Sequence, residues 1–218
     1  MRVDNYSISE LPRGEVLRYL GYRGQELTPE VEERIDEGIA HMLEIAKPKA
    51  AWGIFSFAQP DDSGAIRLLG SSLELPGSSI ARHLDGAVSC YVLAVTVGMD
   101  VDRELKRLSA TDPVAEVILD ACGTVAVEQA AALCQKSIAK NAALGGFYAN
   151  ARFSPGYGDL PLSVQPALLA TLNAQRYLGI TLTKSLLMIP TKSITAIMGE
   201  FPDAPHARSA ERASGSLD

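Results

Sequence analysis

Apolar positions along this chain follow two rhythms. Between Thr28 and Pro48 they recur every three or four residues, at Val31, Ile35, Ile39, Met42 and Leu43. That spacing gathers them on one face of a helix. Its start, Thr28-Pro29-Glu30, offers a hydroxyl, a proline and an acid to the unpaired N–H groups of a first turn. A shorter helix is predicted over 12–22, opened by Pro12 and closed near Gly21. Residues 99–112 turn Val101, Leu105 and Leu108 inward and their charges outward. The stretch 113–140 is different, because between Val117 and Cys134 only Asp120 and Glu128 are ionisable apart from cysteine. A helix apolar nearly all round belongs in the interior. Glu128 extends the row Val114, Ile118, Ala121, Val125, so it is expected on the hydrophobic stripe. A carboxylate there needs a partner, either an arginine from elsewhere or a polar ligand. A last helix is predicted from a Ser163 cap through Leu168, Leu169, Leu172 and Tyr177 to a stop at Gly179.

The second rhythm is that of strands. AAWGIFSFA (50–58), AIRLLG (65–70) and SLEL (72–75) are short apolar runs, the first two separated by the turn-rich QPDDSG (59–64). After a short helix over 78–87, VSCYVLAVTVG (88–98) is β-branched and apolar on both faces. The segment 180–201 is strand-like, and the alternation from Ser193 to Met198 suits a half-buried antiparallel strand. Strands and helices do not alternate regularly, which disfavours a doubly wound parallel sheet. The expected fold is α+β, a largely antiparallel twisted sheet with several packed helices. A single unit is expected over 1–202, its first 50 residues mainly helical. No repeat is visible, and 203–218, which includes His206, is expected to be a disordered tail because it lacks periodic hydrophobicity.

Composition narrows the function. A net charge of −6 with scattered Lys and Arg argues against a nucleic-acid partner, which would need a basic face. Cys90, Cys122 and Cys134 form no metal-binding or redox spacing and are expected to be buried thiols. No signal-like core and no apolar run of bilayer length is read, so a cytoplasmic protein without a membrane role is expected. His41 is expected on the outside of its helix, and His83 as a surface or capping residue. There is no GxxxxGK[ST] loop, GxSxG elbow or HExxH helix, and the glycines at 145, 146, 156 and 158 do not form GxGxxG. A self-contained hydrolase is therefore not supported.

Candidate chemistry concentrates in ARFSPGYGDLP, residues 151–161. Two prolines and two glycines exclude a helix or a central strand. The residues alone allow two readings. One is a plain corner, with Tyr157 packed and Arg152 paired to Asp159 or Glu128. The other is a ligand loop, in which Pro155 fixes one backbone angle and Gly156 lets the main chain approach a ligand.

This segment resembles the Arg-x-x-Pro-Gly-Tyr-x-x-x-Pro signature of the activation domain of cobalamin-dependent methionine synthase. The resemblance extends over roughly 75–202, through the alanine-rich helix before the signature and through GITLTKSLLMIPTKSITAIMGEF after it. The amino-terminal portion is similar to short, stand-alone versions of that domain. The resemblance implies S-adenosylmethionine binding by Arg152, Ser154, Gly156 and Tyr157. In it Arg152 holds the methionine carboxylate, Ser154 contributes backbone, and Glu128 faces the ammonium or the sulfonium. It also implies cobalamin carried by a partner, either a corrinoid-binding protein or a methionine synthase core in trans, and a flavodoxin-type electron donor. One departure from the family pattern stands out: there is no tyrosine near Met198 and Gly199. There is also no Asp-x-His-x-x-Gly to supply a lower cobalt ligand, which is why the resemblance implies a separate corrinoid protein. The alternative is a docking or assembly protein for a corrinoid protein that has kept the fold and lost the ligand. A small-molecule methyltransferase is disfavoured by the lack of a glycine-rich loop after a first parallel strand.

Overall fold

In chain order, the computed structural model begins with β1 (Arg2–Asn5), α1 (Arg13–Tyr19) and α2 (Pro29–Ile45). There follow β2 (Lys49–Phe55), β3 (Phe57–Ala58), β4 (Ile66–Leu68), β5 (Glu74–Leu75), α3 (Ser78–His83) and β6 (Ser89–Thr96). Next come α4 (Met99–Thr111), α5 (Pro113–Leu144) and β7 (Tyr148–Ala149). A 3-10 turn (Leu162–Val164) leads into α6 (Gln165–Thr171) and α7 (Ala174–Leu178), followed by β8 (Thr181–Leu182), β9 (Met188–Ile189) and β10 (Ser193–Phe201). Residues 1–58 and 64–202 are described; most of the predicted turn 59–64 and the predicted tail 203–218 lie outside them.

The β-branched run of β6 forms the middle of a five-stranded sheet ordered β1-β2-β6-β10-β7, with every pairing antiparallel. All eight residues of β6 are buried, as a strand covered on both faces requires. On one face α5 lays Ala130, Ala131, Cys134 and Ile138 against Leu93, Val95 and Met198. On the other, α6 and α7 with the small sheet β3-β4-β5 pack Leu168, Leu172, Ile66 and Leu75 around Val92 and Ile197. The first half of α5 closes a further apolar cluster with α2 and α4 through Ile35, Met42, Val101, Leu105 and Ile118. The fold is thus α+β with a curled antiparallel sheet.

Several expectations need correction. β10 is buried along almost its whole length rather than on one face. Its polar residues are satisfied inside: Ser193 Oγ donates to Pro190 O at 2.7 Å, and Thr195 Oγ1 donates to Gln165 Oε1 at 2.8 Å. The run 50–58 splits at Ser56, which sends Phe57 and Ala58 into the second sheet. Ser163 caps nothing, because it lies within the 3-10 turn, and the predicted last helix breaks at Asn173. Asn173 has φ 49°, a left-handed conformation that asparagine tolerates, and Gly179 at φ 71° stops α7 as expected. Contrary to expectation, α5, with 32 residues, does have the length and hydropathy to cross a bilayer; 61% of its most apolar window is covered by the rest of the protein. The three cysteines are buried as expected, and burial pushes each thiol up to about 12.

Candidate functional site

A polar row runs along one side of α5: Asp120, Thr124, Glu128 and Gln135. Lys192, just before β10, donates to Asp120 Oδ1 at 2.8 Å and to Thr124 Oγ1 at 2.9 Å. Two turns beyond Asp120, Glu128 Oε2 accepts from Arg152 Nη2 at 2.9 Å. The sequence reading put Glu128 on the buried stripe. It is instead 47% exposed, on the neighbouring row, and the arginine pairing is the one observed.

Arg152 reaches α5 because its strand is bulged. Ala149 pairs with Glu200 and Phe153 with Ile197, so four steps on one strand match three on the other. The extra residue falls at Ala151 and Arg152, and a bulge of this kind bends the strand and redirects a side chain. Asn150 holds the bend: its N–H donates to Gly199 O at 3.1 Å, its Oδ1 accepts from Gly199 N at 2.7 Å, and its Nδ2 donates to His83 O at 2.8 Å.

After Phe153 the chain turns. Tyr157 N donates to Ser154 O at 3.1 Å, across Pro155 and a Gly156 at φ 94°. Proline then glycine with positive φ is the type II arrangement. Gly156 therefore serves the turn. It stands beside the groove rather than lining it, and a Cβ there would meet only Leu162, at 3.4 Å. Close approach is needed elsewhere in the loop. Asp159 accepts from Ser78 N at 2.7 Å, Ser78 Oγ at 2.9 Å and Ser79 N at 2.9 Å, pinning the signature to the start of α3. These donors, the Ser79 N–H foremost, hold the Asp159 carboxyl well below the usual carboxylate range. A Cβ on Gly77 would lie 2.6 Å from Asp159 Oδ1, and one on Gly158 2.7 Å from Ser79 Oγ.

Because the signature loop departs at Phe153, the outer edge of β10 is left bare beyond Ile197. Ile197 gives both its N–H and its C=O to Phe153. Peptide groups alternate sides along a strand, so those of Thr195 and Ser193 face the same edge with no strand opposite. Over this edge lies a groove of about 500 Å³. Glu128 and Gln135 flank it from α5, Arg152 and Ser154 from the loop, and Gln165 and Met188 from the far side. Tyr157 stands at its mouth, 67% exposed. The structure thus brings Glu128, Arg152, Ser154 and Tyr157 together. Gln135, Gln165 and Thr195 were missed; the available signal was a glutamine directly before a helix-opening proline, and a threonine inside an apolar strand. A larger cleft of about 710 Å³ beside α6 and α7 is lined by Arg176 and no carboxylate, so it lacks a paired charge of this kind.

The place where the resemblance asks for a tyrosine offers the groove nothing. Met198 is fully buried in the cluster with α5, and a Cβ on Gly199 would sit 2.7 Å from the Phe201 ring. Both remaining histidines are less superficial than expected. His41 is half-buried, with Nε2 2.9 Å from Glu104 Oε1. His83 packs on Phe153 at 5.0 Å between ring centroids, and burial lowers its pKa. No metal-binding cluster occurs among the described residues.

Fold and site together define a class: an α+β module with a ligand-sized groove at the open edge of an antiparallel sheet, its charged side formed by an arginine and a glutamate. Residues 86–208, more than half of the chain, match the family model of the activation domain of vitamin B12-dependent methionine synthase, and the chain belongs to that family. Among solved structures, the fold is similar to a crystal structure described as the MetH reactivation domain bound to AdoHcy. The TM-score is 0.66 at 16% identity, covering 98% of this chain and 85% of that one. No curated protein sequence matches.

Proposed function

We propose that the groove binds S-adenosylmethionine and presents its methyl group to a cobalamin held in trans by a corrinoid protein or a methionine synthase core. One observation carries this reading: Arg152, at the start of the family's signature, pairs with Glu128 of α5, 2.9 Å apart in a ligand-sized groove. A guanidinium beside a carboxylate is the complement of an α-amino-acid zwitterion. The ligand carboxylate takes the Arg152 fork and its ammonium takes Glu128. The exchange is favourable because the existing pair is cheap to open. With Glu128 about half exposed, the pair contributes about 0–1 kcal/mol. Hydrogen bonds to charged groups are worth about 1.5–3 kcal/mol each. Ser154 offers main chain beside this end, and the exposed Tyr157 ring can cover the ligand at the mouth.

The corrinoid is a substrate of this scheme. One electron from a flavodoxin-type donor reduces cob(II)alamin to cob(I)alamin, whose cobalt takes the methyl cation from the sulfonium, forming a Co–C bond, breaking an S–C bond and leaving S-adenosylhomocysteine. The related crystal structure holds AdoHcy, the product expected here.

Calorimetric titration with S-adenosylmethionine, using Arg152→Ala as the control, tests the reading. Binding by the wild type and a loss of about tenfold or more in the variant, with an unchanged melting transition, is expected. Equal affinities would sink the role of Arg152. A second reading, a docking module without ligand, is favoured by the buried Met198 at the missing tyrosine. No binding by the wild type selects it.

A further inference from the structure

The charged pair accounts for one end of the groove only, and the other end carries a polar device that no part of the signature supplies. Gln165, the first residue of α6, is 4% exposed yet lines the groove. Its Oε1 accepts from Thr195 Oγ1 at 2.8 Å, and Thr195 is itself 2% exposed on β10. Among the described residues the Gln165 Nε2 has no partner. Among the described residues, the fully enclosed side-chain atoms without a partner are His83 Nε2 and Asp102 Oδ2; the Gln165 amide is not one of them, and Gln165 lines the groove. A buried amide normally satisfies both ends. Here a threonine hydroxyl occupies the acceptor end and leaves the donor end without a protein partner, on a residue that lines the groove. The peptide group of Thr195 faces the same bare edge.

We infer that Gln165 is a binding residue for the uncharged, nucleoside half of the groove's ligand, donating from Nε2 to a ring nitrogen or a ribose oxygen, with Thr195 as the positioning residue that fixes the amide. This rests on the reading of the groove as an S-adenosylmethionine site. It adds a division of labour: Arg152 and Glu128 read the amino acid, Gln165 and the β10 edge read the nucleoside.

The test separates the two halves with two probes whose sulfur is a neutral thioether: S-adenosylhomocysteine, which keeps the zwitterionic amino-acid portion, and 5′-deoxy-5′-methylthioadenosine, which lacks it. Gln165→Glu is the informative variant. It keeps shape and retains an acceptor for the Thr195 hydroxyl, so a purely structural role survives it. It removes the donors but adds a carboxylate, so the neutral Gln165→Met, which also lacks donors, is measured beside it and should show the same loss. The expected result is a loss of about fivefold to tenfold in affinity, of similar size for both probes. Arg152→Ala should instead weaken S-adenosylhomocysteine and leave the truncated probe unchanged. Thr195→Val should lower affinity for both probes by a smaller factor, with Thr195→Ser restoring it. If Gln165→Glu binds both probes as tightly as the wild type while Arg152→Ala still loses its preference, Gln165 does not touch the ligand and the inference falls alone. If the wild type binds neither probe, the reading of the groove falls and takes the inference with it.

Discussion

Asp159 shows how one side chain can be structural inside a functional signature. Its carboxylate accepts three hydrogen bonds at the start of α3. These are lost if it is protonated, which is why its pKa is depressed. A depressed folded-state value means the stabilisation is fully present above the unfolded carboxylate value, about 3.9, and disappears as pH falls through the folded one. The stability difference between the wild type and Asp159→Asn should therefore be largest above about pH 4 and shrink on acidification. Melting temperatures of both proteins from pH 7 to pH 2 would show it, and a constant difference would refute it. The turn itself was legible in sequence, since proline followed by glycine has few conformations. The partner of Asp159 was not, because Ser78 lies 81 residues away.

Helix pairing decides matters at the scale of elements. α2 crosses α5 closely at Gly38, where an added Cβ would come within 2.6 Å of Ile118 Cγ2. Alanine is favoured over glycine in a helix by about 1 kcal/mol, but overpacking a close contact costs about 1–3 kcal/mol. Gly38→Ala should thus be net destabilising in the wild type and stabilising in an Ile118→Ala background. Guanidinium unfolding of the four proteins of that cycle measures the coupling, and additivity would dismiss the contact. The amphipathic stripes of α2 and α4 could be read directly, because one polar face fixes their orientation. α5 could not be oriented this way. Glu128 stands three residues from Val125 and four from Thr124, and only the placement of Arg152 and Lys192 shows that the polar row is the real one.

Across the whole molecule, the family match and the folded unit have different extents. The match begins at residue 86, whereas β2 covers one whole side of β6, and α2 and β1 complete the clusters around α5 and the sheet. A fragment of residues 86–208 should therefore lack a cooperative thermal transition that the full chain possesses, since β6 would expose an unpaired edge and Ile118 and Val125 would lose Ile35 and Met42. Circular dichroism melts of the two chains decide this; a cooperative fragment would show that the first 85 residues are dispensable. The sequence by itself determined the α+β character, most helices, the apolar central strand and the signature turn, because periodicity and turn chemistry are local properties of neighbouring residues. Only the tertiary structure decided the partner of Glu128, the bulge that aims Arg152, the bare β10 edge and the meeting of Gln165 with Thr195. Those depend on strand register and helix packing between residues 24 to 51 positions apart, which no local pattern encodes.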